Sequence, residues 1–158
     1  MTRRPEGRVA VADADLSQRA AQLLYAYARA VDEGDLDTLT EIALEDVAIT
    51  RVDGTKQGRD AFLAVYRGFR DSDVRASKHV VTNVQAHEEE GGLVRASAYF
   101  AATMFDPDGT RLVIGQYSDS MRDDGNGLKF AHKRISVEGV VPLPAAVVEW
   151  AGVAPKSD

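Results

Sequence analysis

Glu90-Gly91-Gly92, Asp106-Pro107-Asp108-Gly109 and Asp123-Asp124-Gly125-Asn126-Gly127 punctuate the stretch from His79 to Glu138, and between them apolar residues recur with a period of two. Gly, Asn and Asp supply the backbone conformations that tight turns need, and Pro presets one of them. The pattern predicts four strands, at about 79–87, 93–105, 111–122 and 128–138, joined by hairpin connections. Loops this short leave room only for antiparallel neighbours.

Upstream of this meander the period changes. Leu16, Ala20, Leu23, Leu24, Tyr27, Ala28 and Val31 recur at spacings of three and four, which predicts an amphipathic helix, with Asp15 or Ser17 as its cap. Gly34 stops it, and Asp35 caps a shorter helix carrying Leu36, Leu39 and Ile42. Val47-Ala48-Ile49-Thr50-Arg51-Val52 reads as a strand and Asp53-Gly54 as a tight turn. Gly58 and Asp60 lead into a third helix with Phe62, Val65, Tyr66 and Phe69 on its apolar side. Helices followed by a long meander make the class α+β, with a strongly curved sheet wrapped around the N-terminal helices. Residues 1–12 read as a flexible arm, 13–140 as the folded domain and 141–158 as a tail. In that tail Pro142 and Pro144 argue against regular helix or a central strand.

The 158 residues suffice for one domain, and 44% apolar with 28% charged is globular composition. Nineteen Lys and Arg against 25 Asp and Glu give a formal charge of −6, which argues against a nucleic-acid partner. The chain has no cysteine, which excludes disulfides, thiolate metal sites and a Cys nucleophile. Charged residues at the start run into no apolar core of a secretory signal, and no run of about 18 apolar residues suggests a membrane span. A soluble, cytoplasmic protein is expected.

The order of elements resembles the SnoaL-like branch of the nuclear transport factor two superfamily. The resemblance spans about residues 15–138 and is carried by Ala28-Arg29-Ala30-Val31-Asp32-Glu33-Gly34-Asp35, Gly58-Arg59-Asp60-Ala61-Phe62, Lys78-His79-Val80-Val81-Thr82-Asn83 and Gly115-Gln116-Tyr117-Ser118-Asp119. It implies a cone-shaped, cystatin-like domain whose mixed or antiparallel sheet and helices enclose one apolar pocket. Family members usually place a Trp at the start of the last strand, and here Leu128 stands there.

The family's dehydratases and dehydrohalogenases are similar in pairing an Asp from the first helix with a His from the strand that follows the third helix. The matching residues are Asp32 and His79. A carboxylate that accepts a proton from one imidazole nitrogen fixes the tautomer and leaves the other nitrogen as a base. In the dehydratases a Tyr five residues before the Asp assists, and Tyr27 occupies that place. On a regular helix five residues turn through about 500°, so Tyr27 and Asp32 start roughly 140° apart and converge only if the helix unwinds near Gly34. Tyr25, seven residues from Asp32, shares its face without unwinding. Further candidates for the pocket are Asn83, on the same strand face as His79 if alternation is regular, Tyr99 and Thr103, which share a strand face, Tyr117, and His132 beside Phe130 and Arg134. No His pair has the spacing of a local metal motif, and no metal or other cofactor is expected.

These residues and the resemblance together imply a cofactor-independent lyase, a dehydratase acting on a small apolar polycyclic, steroid-like or polyketide-like molecule. A polyketide-type cyclase or an isomerase would begin with the same proton abstraction, and a non-catalytic binding or dimerisation module could keep the cone alone. A sheet covered on one side leaves apolar surface for a homodimer.

Overall fold

The computed structural model of the chain describes residues 12–144. The expectations for residues 1–11 and 145–158 lie outside them. The helices are α1 (Ala14–Glu33), α2 (Leu36–Glu41) and α3 (Arg59–Arg70). The strands are β1 (Ala43–Arg51), β2 (Gly54–Gln57), β3 (Ala76–Glu88), β4 (Val94–Asp106), β5 (Gly109–Asp123) and β6 (Leu128–Pro144). They form one six-stranded sheet in the order β2-β1-β6-β5-β4-β3. All neighbours are antiparallel except β1 and β6, which pair in parallel. The class is therefore α+β, with a curved, unclosed mixed sheet.

Asp13, rather than Asp15 or Ser17, caps α1, its carboxylate accepting from the Leu16 amide at 2.9 Å. Ser17 instead accepts from the Ala86 amide at 2.9 Å and ties the helix to β3. Gly34 ends α1 in the left-handed region at φ 68°, and Asp35 caps α2 through the Thr38 amide. The stripe expected on α1 lies on the sheet's inner face, where Leu24, Tyr27, Leu39, Val47, Phe62, Met121 and Phe130 are almost wholly buried. Each such side chain contributes about 1.5–3 kcal/mol on leaving water. Leu128, in the family's Trp position, is buried at the edge of this core.

β-Bulges bend the strands and reset their alternation. On β3 two residues, Asn83 and Val84, stand against Ala98 alone, and Asn83 takes φ 55°. On β6 the pairing passes from His132 opposite Ser120 to Phe130 opposite Met121, so Ala131 is the extra residue. Phe130 and Lys133 therefore both point inward, three residues apart, while His132 points outward. β6 also runs on to Pro144, past the expected domain boundary, with Pro142 opposite Arg111 and Pro144 opposite Gly109. Beyond Arg134 it has only β5 beside it, so a missing N–H on the free side breaks no ladder bond.

Candidate active site

Asp32 sits in the last turn of α1, where exposed carbonyls make the local field unfavourable for a carboxylate and no basic residue compensates. The compensation comes from β3. Ser77 Oγ donates to Asp32 Oδ1 at 2.7 Å, the His79 backbone N–H donates to Oδ2 at 2.9 Å, and His79 Nδ1 lies 2.6 Å from Oδ1. Both side chains of the dyad are only 8% exposed. Burial pushes the Asp32 carboxyl up, but the three hydrogen bonds outweigh it and the group is held below the usual carboxylate range. An ionised Asp32 requires a proton on Nδ1, which leaves the Nε2 lone pair of a neutral His79 free.

His79 lines a cavity of about 640 Å³ between α1, α3 and the inner face of the sheet. Its walls are mainly apolar, with Val31, Phe69, Phe100, Met104, Val113 and Ile135 among them. That volume is in the range of small-molecule sites. The Phe69 ring meets the imidazole edge to face, 6.3 Å between centroids, and restrains it from the α3 side.

Tyr27 lines the same cavity, although α1 stays helical through Glu33 and no unwinding occurs. Convergence comes instead from β3, which carries the imidazole from Asp32 round to the cavity wall. Tyr66 donates a hydrogen bond to the Tyr27 hydroxyl at 3.0 Å, and the Tyr117 hydroxyl interacts with the same group. The Tyr27 ring packs edge-on against Tyr66, Tyr117 and Phe130, and Tyr117 stacks on Phe100 with centroids 4.5 Å apart. Burial pushes the Tyr27, Tyr66 and Tyr117 phenols above the ordinary tyrosine value, so all three remain proton donors.

Of the other sequence candidates, only Tyr117 lines the cavity. Tyr25 is 44% exposed and does not line the cavity, although it shares a helix face with Asp32 by spacing. Asn83 is the bulge residue and is exposed. On β4 the inward face is Phe100, Ala102 and Met104, so Tyr99, 58% exposed, and Thr103 lie on the outer face. His132 is on the outer face too, its Nε2 2.7 Å from Thr50 Oγ1, because the bulge at Ala131 separates it from Phe130. Among the described residues no group of three or more His, Asp or Glu side chains is arranged to hold a metal ion.

Sequence reasoning missed Tyr66 as a partner of Tyr27 and passed over Lys133 altogether. Lys133 Nζ donates to Asp119 Oδ2 at 2.8 Å with both side chains at 0% exposure, and the ammonium sits 3.2 Å from the Tyr117 ring centroid and 4.6 Å from that of Tyr27. Burial works to neutralise both groups, lowering Lys133 to about 8 and raising Asp119, against their mutual attraction. The placement over π faces and the Arg134 amide on Asp119 Oδ1 at 2.8 Å fit the ionised pair. A lysine flanked by His132 and Arg134 reads as surface; only the bulge turns it inward.

Residues 14–134 match the family model of the SnoaL-like domain, and the chain belongs to that family. No curated protein sequence matches it significantly. Among solved structures it is similar to a candidate scytalone dehydratase from Novosphingobium aromaticivorans DSM 12444, with 14% identity over 84% of this chain and 94% of that one and a TM-score of 0.72. The hexachlorocyclohexane dehydrochlorinase LinA-type3 from Novosphingobium barchaimii LL02 shows 17% identity over 89% and 100%, with a TM-score of 0.72. A cystatin-like protein of unknown function from Nostoc punctiforme PCC 73102 shows 15% identity over 80% and 94%, with a TM-score of 0.64. At these identities the likeness establishes the fold.

Proposed function

We propose that this chain is a cofactor-independent lyase, a dehydratase for a small, largely apolar molecule of polycyclic, steroid-like or polyketide-like character. The observation that carries the reading is the 2.6 Å contact between Asp32 and His79 at the wall of an apolar cavity. A module that only packs or binds has little use for a buried carboxylate facing an imidazole, since such groups cost free energy to desolvate. The family and the lyase names of two structural neighbours point the same way.

In the proposed reaction His79 Nε2 takes a proton from the carbon beside a carbonyl, and Asp32 orients the ring and balances the imidazolium. Tyr27, at the cavity wall, hydrogen-bonds the developing enolate oxygen or the departing hydroxyl. The enolate then expels the β-hydroxyl, which takes the proton held by the His79 imidazolium and leaves as water, returning His79 to its neutral form. Cyclisation or isomerisation would share the first step. Product mass separates them from dehydration, because only dehydration removes one water.

The test is turnover of polycyclic β-hydroxy ketones by the wild type and by His79→Ala, with circular dichroism as the control for folding. His79→Ala is expected to lose turnover by about 100-fold or more with the fold intact. Retained turnover would remove His79 from the mechanism. The assembly proposed with this activity is a cytoplasmic homodimer formed through the outer face of the sheet. There Val80, Tyr99 and Ile114 stand 56, 58 and 43% exposed on adjacent strands.

A further inference from the structure

At the end of β1 the cavity wall carries a charge that the lyase reading does not use. Arg51, the last residue of β1, lines the cavity with Lys56 of β2 and Tyr66 of α3. In a chain of formal charge −6, no Asp or Glu among the described residues lines this cavity. Lys56 has a local counter-charge, Asp53 at 3.2 Å. Arg51 is exposed at the end of β1 and has no salt-bridge contact with any described residue, though its charge acts on Asp53 as well as on the Tyr66 hydroxyl. It also borders a second cavity of about 530 Å³, which shares Phe69, Met104 and Val137 with the first. In that second cavity Asp106 is held bidentate by Arg111, and Asp73 is the other carboxylate.

A guanidinium is a rigid fork of donors that matches a planar carboxylate, and Arg51 and Lys56 present their charges at the exposed rim of an otherwise apolar cavity. The first cavity offers an apolar body its walls, and Arg51 lines both cavities. We propose that the ligand of this cavity is a carboxylic acid, its apolar rings directed toward His79 and its carboxylate held by Arg51 with Lys56 alongside. The identity of the reacting end rests on the lyase reading; the recognition of the acid does not.

The experiment is a calorimetric titration of the full chain with 2-naphthoate and with its neutral counterpart 2-naphthamide, which share rings and shape and differ in charge. Wild type is expected to hold the acid about tenfold tighter than the amide, and the difference to shrink as salt rises. Arg51→Gln should bring the acid down to the affinity of the amide and leave the amide unchanged, while Arg51→Lys should keep part of the preference. Equal affinities in the wild type, no saturable binding of the acid, or a preference that survives Arg51→Gln would each overturn the proposal. His79→Ala separates the two readings through the ratio of acid to amide affinity: it should keep the wild type's preference for the acid, whatever it does to turnover or to the affinity for both ligands. If it still turns over substrate while Arg51→Gln abolishes the acid preference, the dyad falls and the anion site stands.

Discussion

Asp32 shows how a poorly placed charge becomes a fixed one. A carboxylate at a helix C-terminus is opposed by the helix field, and here three donors from one strand reverse the balance. Its folded-state pKa lies below its ordinary value of 3.8. A depressed carboxyl contributes stability that is fully present above the unfolded value and disappears as the pH falls through the folded one. Asp32→Asn is therefore expected to cost about 1–3 kcal/mol at neutral pH, and the gap to wild type to close as the pH drops below 3.8. Urea unfolding of both proteins across the acid range checks this. A gap that stays constant would mean that the charge plays no part. The donors from β3 hold Asp32 from one direction, which is what a base-orienting group needs.

Among the elements, β6 carries the least expected content. Its bulge at Ala131 buries Lys133 against Asp119 under the rings of Tyr27 and Tyr117. Lys133→Met leaves Asp119 buried and uncompensated, and is expected to destabilise the fold by about 3–5 kcal/mol in thermal or urea unfolding. The double variant Lys133→Met with Asp119→Leu should regain most of that loss; a double variant as unstable as the single one would show that packing, not charge, is at stake. This strand also marks where sequence reading stops. The helix stripe and the hairpin connections were legible because periodicity and turn chemistry are local properties, whereas Asp32 and His79 were singled out through the family resemblance. Tyr99, Thr103, Asn83 and His132 were not placeable. The first two depend on which face the helices cover, and the others on bulges that one-residue shifts in pairing create. Tyr25 failed because shared helix face does not say how far along the axis a neighbour extends. Pro142 and Pro144 argue against regular helix or a central strand, and they fall where β6 has lost its second neighbour; that the strand continues past 138 along β5 alone was not legible.

At the scale of the molecule, one side of the sheet holds the core and the cavity, and the other holds Val80, Tyr99 and Ile114 in the open. If two copies meet there, Tyr99→Lys with Ile114→Lys should turn a dimer into a monomer in light scattering, with circular dichroism unchanged. A wild type that is already monomeric would dismiss the homodimer. The bulges have a consequence for how such a sheet can change over time. A strand read from one end keeps its inward and outward residues in phase until a bulge shifts it, and a single inserted or deleted residue inverts everything up to the next shift. In β3 the shift lies between the His79 stretch and the Ala86 stretch; in β6 Ala131 separates the Phe130 end from the stretch that reaches Ile135 and the cavity. β3 is thus two registers joined end to end and β6 three, since a second shift at Glu138 follows the stretch that carries Ile135 and Val137 to the cavity. Length changes near the pocket can be absorbed at these joints, so a lineage can remodel the cavity for new ligands while the core keeps its alignment.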